Sequence, residues 1–125
     1  MNQSDENLCY PAIVAAIEVV SGKWSYSVIS QLCKGTQRFN QLHRSLAGIS
    51  IKSLTDTLRH LEQRGIVSRK VFPTVPVTVE YSLTESGMAY SEVLIQMRDW
   101  GVKWGSNLVV DSHAEETESV ILELE

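Results

Sequence analysis

The sequence predicts an α+β domain, mainly α, of winged helix-turn-helix type with N- and C-terminal dimerisation helices. Three observations carry that expectation: a tight turn leading into one capped amphipathic helix at residues 48–65, a hairpin pattern at residues 67–83, and a concentration of basic residues around both. Ser50 suits the N-cap of the helix, where its hydroxyl accepts from an unpaired first-turn amide, and Gly65 suits the left-handed residue just past the end. Ile51, Leu54, Leu58 and Leu61 recur at three- and four-residue spacing and share one stripe. Lys52, Ser53, Asp56, Arg59, His60 and Gln63 point the other way. Such a helix can enter a DNA major groove, although most surface helices also have an apolar stripe and a solvated charged face.

Charge distribution strengthens the nucleic-acid reading. From Lys23 to Lys70 there are nine Lys or Arg against two acids, a local charge of +7, although the whole chain carries −4. Residues 1–22 contribute −3 and residues 71–125 contribute −8. A basic middle between acidic ends is the footprint of a domain that meets phosphates with one face.

At 125 residues, with 43% hydrophobic and 21% charged, the chain has the proportions of one globular domain. Its expected divisions are a flexible arm at 1–10, a winged-helix core at 11–83, a dimerisation helix at 84–108 and an acidic tail at 109–125. No apolar run approaches the roughly 20 residues of a membrane span, and the N-terminus lacks a basic-then-apolar leader, so a cytoplasmic location without a membrane partner is expected. Two cysteines, Cys9 and Cys33, and three histidines without ligand spacing predict neither a metal site nor a disulfide framework. No Gly-rich phosphate loop, G-x-S-x-G elbow, H-E-x-x-H or Cys-x-x-Cys is present, which argues against an enzyme and against a bound cofactor.

The remaining elements follow in order. Pro11 to Val20 predicts a first helix with Ile13, Ile17 and Val20 on one face, stopped by Ser21-Gly22. A second, from about Trp24 to Cys33, turns Trp24, Val28, Ile29 and Leu32 inward, and Cys33 is expected to be a small buried hydrophobe. Thr36 to Phe39 is a short strand or an extended link. A third helix, from about Asn40 to Leu46, is joined to the fourth by Ala47-Gly48-Ile49. Val67 to Phe72 and Val77 to Leu83 make a hairpin wing, the second strand alternating Val77, Val79, Tyr81 and Leu83 against Thr78, Glu80 and Ser82. Pro73 and Pro76 at its tip discourage pairing with another sheet. Thr84 caps a last helix whose Tyr90, Val93, Leu94, Met97, Trp100, Trp104 and Leu108 exceed what a small domain covers, which points to a subunit interface with the first helix on the opposite side.

Gly22-Lys23-Trp24, Arg38-Phe39 with Leu42, Gly48-Ile49-Ser50, Lys52, Leu54-Thr55, Leu58-Arg59, Leu61-Glu62, Gly65, Arg69, and Val79 to Thr84 with Gly87 together resemble the HxlR-type family of bacterial transcriptional regulators. The match covers about residues 11–100. It implies a homodimer on double-stranded DNA in which the N- and C-terminal helices form the interface, the fourth helix enters the major groove and the wing touches the backbone or minor groove. Some members sense electrophiles or oxidants through a cysteine in an N-terminal Cys-Pro pair. Here Tyr10 separates Cys9 from Pro11, and Cys9 falls about two positions upstream of the family's site. Ala47 and Val77 stand where the family often has proline.

Lys52, Ser53, Asp56 and Arg59 are the expected major-groove residues, with base contact or a phosphate grip or pairing to Glu62 all open to Arg59. Ser50, Arg38, Gln41, Arg69 and Lys70 are expected to hold phosphates. Ile13, Ile17, Leu94, Met97, Trp100 and Trp104 are the expected dimer contacts, and Cys9 and Cys33 the redox candidates. Two alternatives remain beside this reading: a winged helix that docks an acidic protein, and a small-molecule sensor with a pocket lined by Trp100, Trp104 or Tyr10, its effector unknown.

Overall fold

The computed structural model describes residues 3–105. The chain runs α1 (Gln3–Val19), α2 (Ser25–Leu32), β1 (Gln37–Arg38), α3 (Phe39–Ser45), α4 (Ile51–Gln63), β2 (Val67–Phe72), β3 (Thr78–Leu83) and α5 (Glu85–Trp104). Leu108 and the acidic tail lie outside the described residues.

The core forms around α2, which buries Ser25, Ser27, Val28, Ile29, Ser30, Gln31 and Leu32, every residue but Tyr26. Three small serines let neighbouring elements approach closely. Leu42 and Leu46 of the α3 region, Leu54, Leu58 and Leu61 of α4, Val67, Tyr81 and Leu94 close the same core. The three strands are antiparallel in the order β1-β3-β2. Gln37 faces Tyr81 and Arg38 faces Glu80 on one side of β3, while Val67 faces Leu83 and Phe72 faces Thr78 on the other. Of residues 36–39, Gln37 and Arg38 therefore supply a true edge strand, and Phe39 already begins α3. Of the alternating apolar set in β3, Tyr81 is buried, Val79 and Leu83 are half-buried, and Val77 lies before the strand and is exposed.

Several expectations change in three dimensions. α1 begins at Gln3 and carries Pro11 inside it, so the segment expected to be a flexible arm is helical from Gln3. The ring removes one amide donor, which a helix tolerates when its remaining ladder continues on both sides. Cys33 is exposed rather than buried, because it is the C-cap of α2, where the chain leaves the core toward Lys34 and Gly35. Cys9 is exposed as expected. Leu94 is 4% exposed and belongs to the protomer's own core, so it cannot be an interface contact. Ile13, Ile17, Met97, Trp100 and Trp104 all remain exposed. The first helix is not opposite the last: Tyr90 Oη donates to Ala16 O at 2.5 Å, which sets α1 beside α5. Burial of the Tyr90 hydroxyl raises its pKa.

α5 starts where the expectation placed it. Thr84 Oγ1 accepts from Gly87 N at 3.0 Å, and the Thr84 amide donates to Ile66 O, also at 3.0 Å. Gly87 permits this docking, since a Cβ there would lie 2.2 Å from Ile66 O. Gly87→Ala is therefore expected to cost about 3 kcal/mol in a denaturant titration. Gly101, in the same helix with open space around its Cβ position, is the control: Gly101→Ala keeps or raises stability, by about 0.8 kcal/mol at most.

Candidate nucleic-acid interface

The helix-turn-helix is α3, the turn at 46–50 and α4. Arg38 is the N-cap of α3, and its amide donates to Gln41 Oε1 at 2.8 Å, so Gln41 spends its carbonyl oxygen on the cap and keeps its NH2 for an outside partner. The turn depends on Gly48 at φ +85°, a left-handed conformation that favours glycine. Ile49 anchors the turn in the core, and His43 Nε2 donates to its carbonyl at 3.1 Å. Ser50 Oγ then accepts from Ser53 N and donates to Ser53 Oγ, each at 3.0 Å, so these two expected contacts first serve to cap the helix. Gly65, at φ +75°, ends it.

The rotation of α4 is set by Leu54, Leu58 and Leu61, at 0%, 2% and 0% exposure. With those three inward, Lys52, Asp56, Arg59 and Gln63 face solvent on the outer side. Lys52 Nζ donates to Asp56 Oδ2 at 2.9 Å, an exposed pair one turn apart. That hydrogen bond, and then the lysine's charge, lower the Asp56 pKa. Ile51, expected in the buried stripe, is 63% exposed, because the first turn of α4 projects past the core that holds the later leucines. Ile51 thus stands as an exposed apolar side chain beside Lys52 at the start of α4, a placement the periodicity concealed.

The two flanks of α4 differ. On one, His60 leaves the polar face assigned to it and places Nε2 3.0 Å from Glu18 O and 3.3 Å from Val19 O, both acceptors at the end of α1. Arg64 pairs with Glu18 at 2.8 Å on the same side. On the other flank, Thr55, Leu58, Arg59 and Glu62 meet Arg69 and Tyr81 around a cleft of about 310 Å³. Arg59 and Glu62 share this cleft without an ion pair; the ion pairs among the described residues are Lys52 with Asp56, Arg64 with Glu18 and Arg98 with Asp99.

Register separates the two wing cations. Arg69 is opposite Tyr81, on the sheet face turned toward α4. Lys70 is opposite Glu80, which on its far side is opposite Arg38, so Arg38, Glu80 and Lys70 cross the other face in a row. Lys70 Nζ also lies 5.0 Å from the Phe72 ring centroid. The wing tip carries the fully exposed Val75, and Thr74 Oγ1 donates to Pro76 O at 2.9 Å.

A sequence model of the HxlR-like helix-turn-helix matches residues 19–108, which include α2 to α5 and the basic surface just described. The chain belongs to the HxlR-like helix-turn-helix family. One relative, the uncharacterized HTH-type transcriptional regulator YvaP of Bacillus subtilis strain 168, is 36% identical over 104 residues, covering 83% of this chain and 94% of the relative. The reduced form of the transcriptional regulator YodB from B. subtilis superposes with a TM-score of 0.72 at 34% identity, covering 78% of this chain and 95% of that one. The redox regulator HypR in its oxidized form gives 0.66 at 38% identity, covering 74% and 95%. The HxlR-like chain is thus a helix-turn-helix transcriptional regulator by family. No described helix is long and apolar enough to cross a membrane.

Burial and exposure on α4 separate folding residues from surface ones. Leu58→Ala is expected to lower stability by about 2–5 kcal/mol, whereas Ile51→Ala changes it by less than about 0.5 kcal/mol. Urea unfolding of both variants checks the difference, and comparable losses would place Ile51 back in the core.

Proposed function

We propose that two copies of this chain bind a pseudo-palindromic DNA operator and repress or activate transcription from it, with one α4 in each of two major grooves spaced about 34–36 Å apart. The observation that carries the reading is α4 itself, a capped helix whose leucines are buried and whose outer face, with Lys52 and Arg59, meets no other element among the described residues through an ion pair. Ile51, Lys52, Ser53 and Asp56 face the base edges, with Arg59 at their border. Arg38, the Gln41 amide, Ser50, Arg69 and Lys70 supply phosphate contacts. The Lys52 and Asp56 pair matches a guanine acceptor and a cytosine amino group respectively.

The dimer rests on exposed apolar surface. Trp100 and Trp104 are each 57% exposed, Met97 joins them on α5, and Ile13 and Ile17 lie on the adjoining α1. Such a set suits a second copy of the same surface related by a twofold axis. A docking module for an acidic protein would share the positive face, and salt dependence with sequence preference in a gel-shift assay separates the two readings.

Both cysteines are exposed, and structural neighbours include proteins described as redox regulators. These support a second reading on the same scaffold, in which an oxidant such as diamide accepts two electrons and two protons from two thiols. The product is a Cys9 to Cys9 or Cys9 to Cys33 disulfide between subunits, and the diamide becomes its hydrazine. Cys9→Ser is then expected to retain the operator under diamide while the parent releases it. Equal release by both in a gel-shift assay would rule out sensing through Cys9.

Salt dependence tests DNA binding. With about four phosphate contacts per subunit, log K falls with log salt at a slope of roughly −7. Lys52→Ala is expected to weaken operator binding by about 1–3 kcal/mol and to relax preference at one base pair per half-site. A slope near zero, or no sequence preference at physiological salt, excludes an operator-binding protein. In sedimentation at micromolar concentration, Trp100→Ala or Trp104→Ala is expected to cost about 2–4 kcal/mol of association and give monomer.

A further inference from the structure

The cleft between α4 and β2 is shaped by elements far apart in sequence. Leu58 and Tyr81, at 2% and 8% exposure, form its floor, and Arg59, Arg69, Thr55 and Glu62 its walls. Arg59 comes from the second half of α4 and Arg69 from the outer strand of the wing, so two arginines from different elements line one recess. Neither has a carboxylate partner within 4.0 Å among the described residues. Thr55 Oγ1 spends its proton on Ile51 O at 2.8 Å and Arg59 acts on Asp56 only through its charge, so the two guanidinium groups keep donors without an ion-paired acceptor, and phosphate oxygens are acceptors that suit them.

Position decides where that phosphate comes from. With α4 in the major groove and the hairpin over the neighbouring minor groove, the sugar-phosphate strand dividing the two grooves has to cross the gap between helix and hairpin. That gap is this cleft. Base edges are met by the first turns of a recognition helix, where Ile51, Lys52 and Asp56 stand, whereas Arg59 is the ninth of the thirteen residues of α4 and borders the sheet.

We propose that the α4 and β2 cleft is the seat of one DNA backbone phosphate, clamped by Arg59 and Arg69 together, so that Arg59 fixes the register of α4 and reads no base. This rests on the operator reading above. Glu62 is the countercharge of the seat: its carboxylate lowers affinity for any phosphate strand and keeps binding to non-operator DNA weak. Specificity is thereby left to the residues on the first turns of the helix.

The test uses the full-length protein and an operator duplex recovered by selection from random DNA. A single neutral methylphosphonate is walked along each half-site. At one linkage the parent is expected to lose about 10-fold in affinity, while an Arg59→Ala/Arg69→Ala double variant, already weaker by a similar factor on every sequence, is indifferent to the same replacement. Glu62→Gln is expected to bind operator and random DNA more tightly, about threefold each. Both arginines are exposed, so unchanged melting of the double variant, or the same indifference in Arg59→Lys/Arg69→Ala, shows that the fold is intact. Loss of Arg59 sensitivity on replacing one guanine by 7-deazaguanine would make it a base reader and overturn the proposal. Release of the operator by inorganic pyrophosphate at matched ionic strength, through the same two arginines, would make the cleft a free-anion site and overturn it equally. Selective operator binding with every methylphosphonate felt alike by parent and double variant sinks the clamp alone. Absence of any selected operator sinks the operator reading.

Discussion

Withdrawal of Leu54, Leu58 and Leu61 from water is the constraint on which the arrangement of the molecule depends. Each leucine contributes about 2 kcal/mol of apolar burial, and the three lie on one stripe, so any rotation of α4 about its axis would expose at least one. The buried, serine-lined α2 accepts that stripe, and the rotation it enforces aims Lys52, Asp56 and Arg59 outward. The outer face is cationic by sequence but directional only through this packing. Capping by Ser50 and the left-handed Gly65 fix the length of the helix, and the leucines fix its azimuth.

The two flanks of α4 give that helix two different neighbours. Toward α1, His60 and Arg64 hold the last carbonyls of α1 and the Glu18 carboxylate, so α4 is tied directly to the helix that carries Cys9 and the exposed Ile13 and Ile17. Toward the wing, the floor of Leu58 and Tyr81 leaves a recess between two arginines. A displacement of α1 would therefore be felt at α4 through three short contacts, while the opposite flank borders the cleft toward β2. Tyr90 completes the frame by fastening α5 to α1 through the Ala16 carbonyl. α1 and α5 thus lie beside each other at Ala16 and Tyr90, and each carries exposed apolar side chains.

Electrostatics on the exposed surface divides into paired and unpaired cations. Lys52 is held by Asp56, and Arg38 and Lys70 lie on either side of Glu80 in the sheet. Arg59 and Arg69 form no ion pair among the described residues, although Glu62 shares their cleft. Lys52 with Asp56 is an ion pair, whereas Arg38 and Lys70 are only strand neighbours of Glu80; an exposed pair contributes little to folding. The local excess of basic residues is therefore a poor guide to which cation meets what. Strand register, with Arg69 on the Tyr81 face and Lys70 on the Glu80 face, makes that division.

Local pattern in the sequence was enough for α4 with both its caps, for β2 and most of β3, for the Thr84 cap, and for the family itself. All of these depend on residues within a few positions of one another, where spacing and turn chemistry act directly. Helix ends and partners depended on distant chain. Pro11 reads as a helix start, yet the helix continues through it to Gln3. Ile51 satisfies the apolar period but sits beyond the end of the core, and Leu94 fits the exposed stripe of α5 but meets the core instead. Cys33 follows a buried helix and leaves it at the cap. The meeting of Arg59 with Arg69, and of His60 with the end of α1, brings together residues that no periodicity links. Sequence determined which faces are apolar or charged, because that follows from side-chain order along a helix or strand. Tertiary structure alone decided which neighbour each face meets, because only packing joins segments separated by dozens of residues.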